Sequence, residues 1–140
     1  MDVTRLIEQL KLHEGVRRYP YVDTVGKTTI GVGRNLTDNG LSESEIAFLL
    51  LSDIKDAIEL LDEILPGHEL LSEARQLVLA DMAFNMGQGL RTFKKFFVFL
   101  KAGNFEKASE EMLDSKWAQQ VGMRATRLAR IMRTNIWSLD

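Results

Sequence analysis

Between Arg17 and Leu36 the chain changes its period. On either side, apolar residues recur every three or four positions, as on one face of a helix. Within the stretch they give way to Tyr19, Tyr21, Val22, Thr28, Thr29, Ile30 and Val32, punctuated by Pro20, Gly26, Gly31 and Gly33. β-Branched and aromatic residues fit a pleated surface, and Gly and Pro mark where it must turn. A small antiparallel hairpin or three-stranded sheet set into a helical chain is expected, which makes the fold class α+β.

The flanks read as helices with legible ends. Val3, Leu6, Ile7 and Leu10 mark a short amphipathic helix that stops near Gly15 and leaves Glu14 at its end. The "TDNG" at 37–40 reads as a turn, and Ser42 and Glu45 stand in the S-x-x-E relation of a capping box. A helix should start there and run through Ile46, Leu49, Leu50, Ile54, Ala57, Ile58, Leu61 and Leu65 until Pro66-Gly67 ends it. That is a rod of roughly 35 Å. "EARQLVLADMAFNMG" is a further helix closing at Gly87, and Thr92 and Asn104 are expected to cap the segments after it. Trp117 opens the last section, where Arg124, Arg127, Arg130 and Arg133 recur every third residue with no acid between them. No internal repeat, low-complexity tract or flexible linker is evident.

Composition narrows the function. The chain has 140 residues, 45% of them apolar, enough for one main core. A net charge of −2 argues against a nucleic-acid partner. With no cysteine there is no disulfide, thiol nucleophile or Cys-based zinc site, and with only His13 and His68 no His-built metal site is expected. No cofactor is expected either. The start "MDVTRLIEQL" lacks the pattern of an export signal, and the longest apolar run, "IAFLLL" at 46–51, is far short of a membrane span, so no membrane insertion is expected.

The string "HEGVRRYPYVDTVGKTTIGVGRNL" from His13 to Leu36 resembles the E-G…Y-x-D-x-x-G-x-x-T-I-G-x-G segment of the phage-type lysozymes, glycoside hydrolase family 24. "AFNMG" at 83–87, "SKWAQQ" at 115–120 and "RTNIW" at 133–137 follow in the family's order, so the likeness spans nearly the whole chain. It implies a single lysozyme domain over 1–140: a sheet lobe at about 13–40, a connecting helix at 41–66, and a helical lobe made of 71–140 with 1–12. A peptidoglycan cleft would lie between the lobes. By the same likeness Glu14 is the general acid, Asp23 the carboxylate on the opposite face of the sugar, and Thr29 the hydroxyl that helps hold the attacking water. Gly33, Asn35, Phe84, Asn85 and Arg124 would bind substrate. The family inverts, which calls for carboxyl groups roughly 6.5–9.5 Å apart. The implied protein is a monomeric endolysin that accumulates in the host bacterial cytoplasm and meets bacterial peptidoglycan after a separate, holin-like protein opens the membrane. Arg34, His13 and Asn85 depart from the family's best-known member, and Arg34 is expected to pair with Asp53.

Without the likeness, the same residues have plainer readings. A Glu and an Asp nine positions apart are by default surface charges. Thr28 and Thr29 are equally good strand residues. The G-x-G at Gly31 and Gly33 lacks the third glycine and following helix of a dinucleotide site. Trp117 and Phe84 are by default core, the arginine row a solvated face, and His68 a loop residue. Three competing functions remain: lytic transglycosylation, which needs an acid/base but no positioned water; a silent glycan-binding module; and a helical DNA-binding domain, which the charge balance disfavours.

Overall fold

Helix α1, Val3–Glu14, begins where the Asp2 side chain accepts from the Arg5 amide and ends at Gly15, whose φ of +76° takes the chain out of the helix. Three antiparallel strands follow in the order β1-β2-β3: Arg17–Val22, Thr28–Gly31 and Arg34–Asn35. Tyr21 pairs with Thr29, and Thr29 with Asn35, so Thr29 lies on the central strand. Between Arg17 and Tyr21 the β1–β2 register shifts, and Pro20, which has no amide hydrogen to donate, falls in that irregular stretch of an edge strand.

A computed structural model describes all 140 residues, which fall into two compact units, Met1–Leu49 and Leu50–Asp140. Helix α1 falls in the first of these units, with the sheet, whereas the family resemblance implies a lobe in which residues 1–12 join the later helices. Only Gly15 and Val16 separate α1 from β1, and the Glu14 side chain at its end lies against Gly33.

The "TDNG" segment is a one-turn helix, α2, Leu36–Asn39, and not a bare turn. The Asn35 side chain accepts from the Asp38 amide, an N-cap that tips the segment into helix. The expected capping box is present: the Glu45 amide donates to Ser42 Oγ at 3.2 Å, and the Ser42 amide donates to Glu45 Oε1 at 2.9 Å. Helix α3 runs Glu43–Ile64. Arg34 does not pair with Asp53. Its Nη1 lies 2.8 and 2.7 Å from the two oxygens of Glu45, which the capping box already holds at the start of α3, facing the end of the sheet.

In the second unit, α4 (Glu73–Met86), α5 (Lys94–Lys101), α6 (Phe105–Leu113), α7 (Lys116–Val121) and α8 (Met123–Thr134) build the main core. Helix α8 packs against α4, α6 and α7 and buries Ala125, Leu128, Ala129, Ile131 and Met132. Val78, Leu79 and Met82 of α4 meet them, and α3 adds Ala57, Leu60 and Leu61 from its second half. Arg75 ties the bundle together: its Nε donates to the Met132 carbonyl at 2.9 Å, and its guanidinium lies 3.5 Å from the Phe105 ring centre.

Several local expectations change. Asn104 caps α6 as expected, but Thr92 caps nothing: its hydroxyl donates back to the Gly89 carbonyl at 2.7 Å, and Phe93 occupies the cap position of α5. His68 is not a loop residue; it lies in a 3-10 turn, His68–Leu70, and is buried. Trp117 is buried as expected, whereas Phe84 keeps 43% of its surface exposed. No helix is long and apolar enough to cross a membrane.

Two outcomes follow from this packing. Leu79→Ala empties a fully buried position and should cost about 2–5 kcal/mol, read from urea unfolding midpoints. The second concerns Glu45, whose carboxyl the Arg34 guanidinium and the Ser42 amide hold down to about 2 from an ordinary 4.5. A depressed carboxyl stabilises the fold fully above its unfolded value and ceases to do so as pH falls through its folded one. The stability gap between the wild type and Glu45→Gln should be full at pH 7 and close between about pH 4.5 and 2. Chemical unfolding at stepped pH reads it, and a constant gap refutes the pairing.

Candidate active site

The loop from Asp23 to Lys27 organises the first unit's polar residues. Asp23 Oδ1 accepts from the Val25 amide at 3.0 Å and the Lys27 amide at 2.8 Å, and the Asp23 amide donates to the Lys27 carbonyl at 2.9 Å. Gly26, with φ +84°, allows this tight closure. Both side-chain bonds fall on Oδ1, so Oδ2 keeps its lone pairs. On the next strand Thr29 is buried, and its Oγ1 donates to the same Lys27 carbonyl at 3.1 Å. Its hydroxyl proton is thereby committed, which leaves the oxygen as an acceptor. Lys27 therefore fixes both side chains through its backbone, a part that a sequence motif has no means of displaying.

Glu14 approaches from the end of α1. A Cβ on Gly33 would stand 2.8 Å from Glu14 Oε2 and 3.0 Å from its carboxyl carbon, so any side chain there would push the carboxylate from the place it occupies. Gly33 also has φ +69° in the β2–β3 turn, a region that side chains avoid. Asn35, the next strand residue but one, spends its carboxamide on α2: Oδ1 accepts from the Asp38 amide and Nδ2 donates to Asp38 Oδ2 at 2.9 Å.

In the second unit, Phe84 and Asn85 lie three and four residues after Asp81 on α4, so the three share one face. Arg124 of α8 comes to that face. Its Nε and Nη2 lie 2.8 and 2.7 Å from Asp81 Oδ1. Asn85 Oδ1 accepts from Trp117 Nε1 at 2.7 Å, leaving the Asn85 amide group free to donate elsewhere, and Trp117 packs edge-on against Phe93. Asp81 is the residue that sequence reading missed, and its D-x-x-F-N spacing was the available signal. The arginine row is not one solvated face: steps of three fall short of a full turn, so Arg124 meets Asp81 while Arg127 and Arg130 reach the carbonyl of Asp140.

A profile of the Phage lysozyme family matches residues 11–133. The chain belongs to that family. It is 30% identical, over 92% of its length, to the pre-baseplate central spike protein Gp5 of Enterobacteria phage T4, of which it spans 28%. It is 26% identical to the probable T4-type lysozyme 2 of Dictyostelium discoideum, with 94% of this chain and 95% of that protein aligned. To the endolysin of Bacillus phage B103 it is 32% identical over 83% of its own length, spanning 45% of that protein. The chain thus covers well under two thirds of two of these relatives and nearly all of the third.

Gly33→Ala tests the packing at Glu14. The added methyl group meets both the carboxylate and an unfavourable φ, and we expect a loss of about 1–3 kcal/mol. Urea unfolding measures it, together with a changed Glu14 side-chain signal in NMR spectra; an unshifted signal would mean that Glu14 does not rest on Gly33.

Proposed function

We propose that the protein is a muramidase of the endolysin type, hydrolysing the β-1,4 bond between N-acetylmuramic acid and N-acetylglucosamine in bacterial peptidoglycan. The observation that carries this reading is the family match over 11–133, which includes Glu14, Asp23 and Thr29 in a segment whose local geometry suits hydrolysis. Breaking a glycosidic bond requires a proton for the leaving oxygen and a nucleophile on the opposite face of an oxocarbenium-like centre. Glu14 is the proposed acid. Asp23 is the proposed base, taking the proton of a water that adds to the anomeric carbon with inversion.

The hydrogen bonds around Lys27 support this division of roles. Thr29 Oγ1, its own proton given to the Lys27 carbonyl, accepts one hydrogen of that water, and the unbonded Oδ2 of Asp23 accepts the other. With both hydrogens held, the water's lone pair is directed at the sugar, which is the orientation that hydrolysis needs and transglycosylation does not. Gly33, Asn35 through its second Nδ2 hydrogen, Phe84, Asn85 and Arg124 are proposed as contacts to the glycan. In this reading Asp81 holds the Arg124 guanidinium in place, while the Asn85 amide group donates to a sugar or acetamide oxygen. The chain works as a monomer, accumulates in the host cytoplasm and reaches the wall once a separate holin-like protein has breached the membrane.

Glu14→Gln and Asp23→Asn should each lower release of reducing ends from purified peptidoglycan by about 10²–10⁴-fold while circular dichroism stays unchanged. Mass spectrometry of the wild-type digest should find hydrated muramic acid ends. Anhydro ends would assign transglycosylation instead, and undiminished turnover in Glu14→Gln would remove Glu14 from the mechanism.

A further inference from the structure

The turn that follows α3 brings together three metal-ligating side chains that the proposed hydrolysis does not use. Asp62 lies in the last turn of α3, and His68 and Glu69 open the 3-10 turn after Pro66-Gly67. His68 Nε2 lies 2.7 Å from Asp62 Oδ1 and 4.0 Å from Glu69 Oε2, and the three donor atoms all lie within 4.8 Å of one another. The imidazole is nine-tenths buried, with 10% of its side chain exposed, while the Asp62 and Glu69 carboxylates stand in solvent. One face of the cluster is therefore fixed and the other open.

We propose that Asp62, His68 and Glu69 bind one divalent transition ion of the Zn²⁺ type. Zn²⁺ accepts imidazole nitrogen and carboxylate oxygen at about 2.0–2.2 Å, and sites with three protein ligands keep a fourth position for water. Tetrahedral ligands at those bond lengths stand roughly 3.3 Å apart. The His68–Asp62 separation must widen and the His68–Glu69 separation close, each by less than the reach of one side-chain torsion. The turn carrying the ligands is already held: the His68 amide donates to the Leu65 carbonyl at 3.0 Å, the Leu71 amide to the His68 carbonyl at 3.1 Å, and Gln76 Nε2 to the Glu69 carbonyl at 3.1 Å.

Charge favours a cation at this place. The last turn of α3 contains no basic residue, yet it carries Asp62 and Glu63 beside the helix's own unpaired carbonyls, the negative end of its dipole. Glu63 is neutralised by Arg91 at 2.6 Å, whereas Asp62 has only the imidazole and Glu69 forms no ion pair with a lysine or arginine. On binding, His68 ligates as the neutral imidazole, its one ring hydrogen carried on Nδ1 and the Nε2 lone pair given to the metal, so that Asp62 exchanges its hydrogen bond to the ring for a bond to the same ion. Mg²⁺ and Ca²⁺, which require oxygen ligands throughout, are rejected by the buried nitrogen.

The test is calorimetric titration of the full chain with ZnCl₂ in chelator-free buffer near neutral pH. One equivalent should bind, and millimolar MgCl₂ should give no heat. Asp62→Asn and Glu69→Gln alter exposed side chains and should each weaken Zn²⁺ binding by about tenfold or more. His68→Gln should abolish it; if that variant fails to fold, as circular dichroism would show, the two exposed variants decide. His13→Gln, which changes the other histidine, should bind as the wild type does. Absence of binding, unchanged affinity in both Asp62→Asn and Glu69→Gln, or a loss of binding in His13→Gln would each overturn the assignment.

Discussion

The carboxylate of Glu45 is where the two kinds of local order in this chain meet. One oxygen receives the Ser42 amide at the start of α3, and both lie within reach of the Arg34 guanidinium from the last strand. A capping box alone would start the helix, and an ion pair alone would join two charges. Sharing one carboxylate makes the start of α3 and the end of the sheet parts of one construction. The pair is partly exposed, so its worth lies more in geometry than in energy. It fixes where a 22-residue helix begins, and the register of every later residue on that helix follows from its first turn.

The second unit rests on a different principle. Helices α4 to α8 are short, between 6 and 14 residues, and helices of that length are marginal alone. They persist because each buries an apolar face against α8 or a neighbour, with Leu79, Met82, Met112 and Met132 fully enclosed. Methionine adapts to the irregular spaces that such short segments leave. The polar cluster on the outside of α4, with Arg124 held by Asp81 and Asn85 by Trp117, is carried on this packed base.

Much of this is legible in the sequence because it depends on neighbours along the chain. The sheet between Arg17 and Leu36, the capping box at Ser42 and the stop at Pro66-Gly67 each follow from residues a few positions apart. The features that sequence patterns do not display turn on a choice between partners or on competing local bonds. Arg34 chose Glu45 over Asp53 because the capping box had already oriented Glu45. Thr92 looked like a cap until its hydroxyl turned back to Gly89. His68 reads as a loop residue because nothing nearby in sequence reveals that its ring is buried and hydrogen-bonded to Asp62. At the candidate site, the resemblance picked out Glu14, Asp23 and Thr29, but the backbone atoms that orient the last two, and the role of Asp81 beside Arg124, required coordinates.

The bonds at Lys27 also bear on how such a site can change over time. What Asp23 and Thr29 require from position 27 is an amide hydrogen and a carbonyl, which every residue except proline provides in full. The Lys27 side chain is occupied elsewhere, 3.1 Å from Asp38. A substitution at position 27 by any residue but proline would give up the ion pair with Asp38 and keep the amide and carbonyl on which Asp23 and Thr29 depend. The identity of the side chain at 27 carries none of this geometry, although Asp23 and Thr29 cannot hold their places without its backbone.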